Sequence, residues 1–274
     1  MDSEGNRIIR FEKDALVGTI VTDEKGKGTL NNLPIGKFYI KETKTGDSFV
    51  LDPKEQDFEI TYQGQEVAVD YVTKEIKNQR QKVEIEVLKR SEATKEPLAG
   101  VSFGLYAGED LLNAAGEIVV KKDELVAVGK TDEEGKLKYQ DTIPHGKYYL
   151  KELENLPGYL PFEEKIEIDA SYTDPKLEVI SIQKEVENQP TKVEITKTDI
   201  TGEKEVEGAK LQILDKEGDV VEEWTSTKEP HLVYALKPGK YILHEEQAPT
   251  ENGYVKAEDV EITVEETGEI QKVP

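Results

Sequence analysis

The chain contains no cysteine. Disulfides and thiolate metal sites are excluded, so any covalent reinforcement must use other chemistry. Histidine is nearly as scarce. His145, His231 and His244 fall in a turn, at the start of a strand and beside Glu245, and such scattered imidazoles make no metal site. Aromatic residues reach only 7% and apolar residues 36%, which limits each core to a thin one. No apolar run approaches the ~20 residues that span a bilayer. Met1-Asp2-Ser3-Glu4-Gly5 has neither the basic nor the apolar stretch of a signal peptide. Basic residues are outnumbered 36 to 58, for a formal charge of -22. A chain this acidic repels phosphate backbones and anionic lipid, which argues against nucleic-acid partners and membrane insertion. The sequence also lacks GxGxxG, P-loop, nucleophile-elbow and HExxH patterns, so neither a cofactor nor turnover chemistry is expected.

What the chain does have is repetition. Gly36-Lys37-Phe38-Tyr39-Ile40-Lys41-Glu42 returns as Gly146-Lys147-Tyr148-Tyr149-Leu150-Lys151-Glu152 and as Gly239-Lys240-Tyr241-Ile242-Leu243-His244-Glu245. Glu42 to Glu152 is 110 residues, and Asn78 to Asn188 is the same 110, so the period is a whole module. Val83-Glu84-Ile85-Glu86-Val87-Leu88, Val193-Glu194-Ile195-Thr196 and Val260-Glu261-Ile262-Thr263-Val264 alternate apolar and polar residues, the mark of strands with one wet face. Turn signals such as Asp23-Glu24-Lys25-Gly26, Asp132-Glu133-Glu134-Gly135 and Asp215-Lys216-Glu217-Gly218 separate them. These acidic turns lack the twelve-residue ligand spacing of an EF-hand and read as hairpin turns. A short helix is expected near Lys121 to Leu125. The fold class is therefore all-β, a tandem array of sandwich modules.

Three modules are expected. Residues 1–79 form a partial one lacking its first strands, because residues 6–22 match the middle of the second, 116–131. Residues 80–190 form a complete module. Residues 191–274 form one lacking its last strand. The links after Asn78-Gln79 and Asn188-Gln189-Pro190 are a few residues long, which predicts a semi-rigid rod. Open sheet edges at the two incomplete modules would allow strand-complementing self-association.

In the second module Lys89 closes the first strand, Glu152 lies in a central strand and Asn188 in the last. Lys89 and Lys197 each precede a glycine, Gly100 and Gly208, by eleven residues and so hold equivalent places. The chain resembles the Cna-B or SpaA-like (prealbumin-like) repeat domains of Gram-positive surface adhesins and pilins, over essentially its whole length. The resemblance rests on the first-strand lysine followed by Pro97-Leu98-Ala99-Gly100-Val101-Ser102-Phe103-Gly104-Leu105-Tyr106. Thr131-Asp132-Glu133-Glu134-Gly135-Lys136, Lys151-Glu152 with Pro157-Gly158-Tyr159 beyond it, and the closing Glu187-Asn188-Gln189 complete it. It implies Ig-like sandwiches of the Cna-B type. It further implies a spontaneous isopeptide bond between Lys89 and Asn188, assisted by Glu152 as the catalytic acid. Glu42 and Glu245 are the equivalents of that acid in incomplete modules, and Asn78 and Lys197 are the unpaired equivalents of the reactants.

The physical requirements of such a bond stand apart from the resemblance. An amine attacks only when neutral, and burial favours the neutral forms of both an amine and a carboxyl. The neutral amine can then attack the carboxamide carbon, with the acid donating to the oxyanion and passing a proton to departing ammonia. The plain alternative is a surface ion pair worth little. The expected role is a stalk or pilin-like shaft of an extracellular, cell-wall-anchored protein, whose signal peptide and anchor are not in this sequence. The rival is an adhesin segment that grips a host extracellular matrix protein or glycan. An apolar patch near the insertion Ala107 to Lys122 would favour that rival.

Overall fold

A computed structural model describes residues 4, 10–67, 71–113, 116–140, 143–202 and 204–273. Residues 6–9 of the segment matched to 116–131 lie outside the described residues. The chain divides into two units, Met1–Gln79 and Arg80–Pro274.

In the first unit β1 (Gly36–Ile40) pairs antiparallel with β2 (Gln56–Ile60). Phe38 sits opposite Phe58 in the register, and their rings stack 5.5 Å apart.

The second unit holds two sandwiches in sequence. The first uses β3 (Lys82–Ser91), β4 (Ser102–Ala107), β5 (Leu111–Leu112), β6 (Ile118–Val120), β7 (Leu125–Lys130), β8 (Lys136–Tyr139), β9 (Gly146–Glu154), β10 (Ile166–Ala170) and β11 (Val179–Asn188). One sheet runs β10-β9-β4-β7 and the other β11-β3-β8, with β5-β6 as a separate hairpin. The second sandwich uses β12 (Lys192–Ile195), β13 (Lys210–Leu214), β14 (Val220–Thr225), β15 (His231–Tyr234), β16 (Gly239–Gln247), β17 (Val260–Val264) and β18 (Ile270–Val273). Its sheets run β14-β13-β16-β17 and β15-β12-β18. Both sandwiches pair their first and last strands in parallel, β3 with β11 and β12 with β18. That arrangement lays the first and last strands of each module side by side, with entry and exit at opposite ends of the pair.

Strand parity builds the cores. In β3 the residues Val83, Ile85 and Val87 face inward, and Val101, Phe103, Leu105, Tyr148 and Leu150 meet them from the facing sheet. A smaller core of Val193, Ile195, Ile213, Val233, Tyr241 and Ile262 fills the second sandwich, with Trp224 packed against it.

Two expectations are corrected. The module from residue 191 is not without a last strand: Ile270–Val273 supplies it, because Val273 packs against the second core and the parallel register with β12 fits. With β15 and β18 on either side, β12 has no open edge for strand addition. No helix forms at Lys121 to Leu125. Glu124 N donates to Lys121 O, Asp123 adopts a φ of 66°, and the chain enters β7 at Leu125. Tight-turn geometry and a strand-forming Leu-Val-Ala-Val run outweigh the weak helical signal.

The acidic turns close on themselves. Asp23, Asp132 and Asp215 each accept two backbone N–H bonds on Oδ1, and Gly26, Gly135 and Gly218 each donate back to the aspartate carbonyl. The carboxylates serve the turn. Among the described residues no group of three His, Asp or Glu could hold a metal, and no helix is long and apolar enough to cross a membrane.

The link between the two sandwiches is bonded to both. Thr191 N donates to Gly158 O in the first, while Ala235 N donates to Thr191 O and Thr191 Oγ1 to Leu236 O in the second. Gly158 has a φ of +87°, and a Cβ there would stand 2.1 Å from Ala235 O. Gly158→Ala should therefore destabilise the unit by about 1–3 kcal/mol, seen as a melting temperature lower by several degrees. Gly218→Ala, at a φ of +89° in open space, carries the conformational cost alone and should fall less. Equal melting temperatures for the two variants would show that the junction is not packed.

Candidate crosslinking site

The same parity that makes the core places the three candidate residues. Lys89 follows Val83, Ile85 and Val87 on the inward face of β3 and is 0% exposed. Asn188 shares the inward face of β11 with Val186 and is 1% exposed. Glu152 follows Tyr148 and Leu150 along β9 in the facing sheet, and 2% of its side chain is exposed. In the parallel register Lys89 pairs with Val186, which sets Asn188 two residues further along the neighbouring strand.

The three side chains meet. Lys89 Nζ lies 3.1 Å from Glu152 Oε2 and donates a hydrogen bond to Asn188 Oδ1. Asn188 Nδ2 donates to Glu152 Oε1 at 2.9 Å and to Asn155 Oδ1 at 2.7 Å. Phe162 N approaches Glu152 Oε1 at 3.4 Å. Glu152 Oε2 is buried, and Lys89 is its single close partner among the described residues. The rings of Phe103 and Phe162 stand 5.7 and 5.6 Å from Nζ and close the site to water. Burial pushes the Lys89 amine below its ordinary value, against the opposing pull of the Glu152 carboxylate. The reading of a surface ion pair therefore fails on burial alone.

The other modules hold parts of the same arrangement. In the first unit Asn78 Nδ2 donates to Glu42 Oε2 at 2.6 Å, to Val50 O at 2.9 Å and to Thr45 Oγ1 at 3.2 Å, and Asp52 N donates to Glu42 Oε2 at 2.8 Å. In the second sandwich Lys197 Nζ lies 3.3 Å from Glu245 Oε2, which also accepts from Ala257 N at 2.6 Å. Glu245 Oε1 is buried without a hydrogen-bond partner. The carboxamide and acid are thus together in one module and the amine and acid in another. Neither is complete within the described residues.

Sequence reasoning missed Asn155 and the aromatic walls. No repeat marks Asn155: it stands three residues after Glu152, where Thr45 stands after Glu42 and Ala248 after Glu245. Away from the site, the insertion carries exposed Leu112, Ile118 and Val119, with exposed Leu125 and Val128 on edge strand β7. Val120, Val126, Ala127, Tyr139 and Ile143 line a shallow groove there.

Comparison with known proteins agrees with this architecture. The sequence model of the SpaA prealbumin-like fold domain matches residues 2–75, 83–185 and 191–273. The chain belongs to this family. Among solved structures, the SpaA-like chain is similar to the Bacillus anthracis TIE protein, with 28% identity and a TM-score of 0.55, covering 92% of this chain and 44% of that one. It thus spans less than half the length of that protein. The streptococcal ancillary pilin is 23% identical with a TM-score of 0.31, over 90% of this chain and 78% of that one. The shaft pilin SpaA from Lactobacillus rhamnosus GG is 14% identical with a TM-score of 0.35, over 70% of this chain and 95% of that one. No curated protein matches the chain. SpaA-like domains are typical of Gram-positive cell-surface proteins.

The depressed amine gives a pH signature. An Asn188→Leu chain keeps Lys89 a free amine beside Glu152. Its folded Lys89 releases a proton at lower pH than the unfolded chain does, so between the two values the unfolded state binds more protons. Stability must then rise with pH until it levels off above the 10.5 of a solvated lysine. Urea unfolding between about pH 8 and that value should show a steeper rise than an Asn188→Leu/Lys89→Met control. Parallel curves would mean that Lys89 is not desolvated.

Proposed function

We propose that the chain is a structural stalk or pilin-like segment of a Gram-positive cell-surface protein, with its central module locked by a bond between Lys89 and Asn188. The observation that carries this reading is the complete burial of a lysine amine against both a carboxyl group and a carboxamide. An ion pair in such a place is costly to desolvate, and the burial that lowers the Lys89 amine favours its neutral form. Passage of a proton from Nζ to Glu152 produces that state and frees the lone pair.

The amine then attacks Asn188 Cγ. The Nζ–Cγ bond forms, and Glu152, which already faces Nδ2, passes its proton to that nitrogen. The Cγ–Nδ2 bond breaks and ammonia departs, and the second proton of Nζ passes to Glu152, so a neutral amide, a neutral acid and ammonia balance the atoms and charge without an oxidant or cofactor. Holding the groups in contact replaces a bimolecular encounter and supplies much of the rate. The event occurs once per molecule, which makes it maturation rather than enzymatic turnover.

The benefit is mechanical as well as thermodynamic. Load entering at the start of β3 would pass from Lys89 directly to Asn188 and leave at the end of β11, so the residues between them carry none of it. Lys89 and Asn188 are 99 residues apart, and closing a loop of that length restricts the unfolded chain by about 4–5 kcal/mol in the chain-entropy estimate. A chain without cysteine gains by this route what a disulfide supplies elsewhere.

A second reading, a segment that recognises a host protein or glycan, draws on the exposed apolar residues of the β5-β6 hairpin and β7. The groove beside it is lined mainly by Val120, Val126, Ala127 and Ile143, and this reading stands second.

Intact-mass measurement of the purified chain tests the first reading. The mass should lie one ammonia below the sequence mass, and Lys89→Ala and Glu152→Ala should each return to their own sequence masses. An unshifted mass for the parent chain would remove the crosslink from the reading and leave the ligand-binding alternative ahead.

A further inference from the structure

The crosslinking reading leaves one problem of orientation. A carboxamide can present either its oxygen or its nitrogen to the amine, and the two ends are nearly the same size. Glu152 cannot make the choice by itself. As a carboxylate it accepts from Nδ2, but as the protonated acid that the reaction needs it can donate to Oδ1 equally well.

Asn155 resolves the ambiguity. Its Oδ1 accepts from Leu156 N at 2.8 Å, and its Nδ2 donates to Tyr159 O at 2.6 Å. Two backbone groups of fixed polarity thus pin the Asn155 amide, and its oxygen can act only as an acceptor. That oxygen accepts from Asn188 Nδ2 at 2.7 Å. A flipped Asn188 would set oxygen against oxygen at this contact. Polarity is therefore relayed from the backbone turn after β9, through Asn155, to the reacting group.

The first unit repeats the device with other atoms. There Thr45 Oγ1 and Val50 O both accept from Asn78 Nδ2, and Thr45 stands three residues after Glu42 as Asn155 does after Glu152. The same nitrogen is held beside the same acid in two modules.

We propose that Asn155 is a positioning residue for the bond between Lys89 and Asn188: it fixes the carboxamide with its oxygen toward the amine and its nitrogen toward Glu152, and it accepts a hydrogen bond from that nitrogen as it leaves. This inference rests on the crosslinking reading. It adds no reactant, since the proton on the departing ammonia still comes from Nζ by way of Glu152.

Cell-free synthesis of the full chain, sampled over time by intact mass, gives the rate of ammonia loss. Asn155→Ala should slow that loss roughly tenfold or more, the effect of one lost hydrogen bond that also permits misorientation. Asn155→Thr restores an oxygen acceptor of the kind found at Thr45 and should recover most of the rate. Circular dichroism of Lys89→Ala chains, with and without each substitution at Asn155, should show the same fold, which a merely structural role would not give. Equal rates for the parent chain and Asn155→Ala would overturn the inference, as would an equally slow Asn155→Thr in a chain that keeps its fold. No ammonia loss from the parent chain would instead overturn the crosslinking reading itself.

Discussion

A lysine amine held out of water is the constraint on which the central module turns. Lys89 occupies the next inward place after Val83, Ile85 and Val87, where another apolar residue would continue the core. A charged group there is tolerable only with partners, and the fold supplies them from two other strands. The parallel pairing of β3 with β11 brings Asn188, and the packing of the opposite sheet brings Glu152. Phe103 and Phe162 then stand 5.7 and 5.6 Å from the amine and add to the burial that lowers it below its ordinary value. Every later feature of the site follows from making that one buried amine compatible with a stable core.

The three modules show how much of the arrangement can be varied. A glutamate and a backbone N–H ten or twelve residues beyond it recur in all three, as Asp52 with Glu42, Phe162 with Glu152 and Ala257 with Glu245. The third position after the acid differs: Thr45 and Asn155 accept from a carboxamide nitrogen, and Ala248 has no side-chain acceptor. The acid is thus positioned by the frame of the fold, while the groups around the carboxamide are chosen module by module. Glu245 Oε1 is buried and accepts no hydrogen bond among the described residues, while Oε2 meets Lys197 Nζ and Ala257 N.

Much of the fold was legible because its signals are local. Alternation in Val83 to Leu88 and Val260 to Val264 gave strands and their inward faces, and Asp-x-x-Gly gave the turns. The short helix expected at Lys121 to Leu125 failed where a local turn and a strand competed for the same residues. The last strand of the third module was missed because its four residues, Ile270–Val273, are too few to show a period, and it is the pairing with β12 that defines them. Asn155 escaped notice for a related reason: its role depends on Leu156, Tyr159 and Asn188 together, and no periodic pattern marks such a meeting.

The sequence by itself determined that this is a repeated all-β chain, that it has no cysteine with which to brace its modules, and that lysine, glutamate and asparagine recur at module spacing. It could do so because parity and period are properties of the chain alone. Which of those residues touch was decided by the tertiary structure. Lys89 and Asn188 are 99 residues apart and Glu152 belongs to a different sheet, so their contact exists only once the sandwich closes. Burial, which depresses the amine, and the orientation imposed through Asn155 are likewise products of packing. A single strand has neither an interior nor a fixed neighbour.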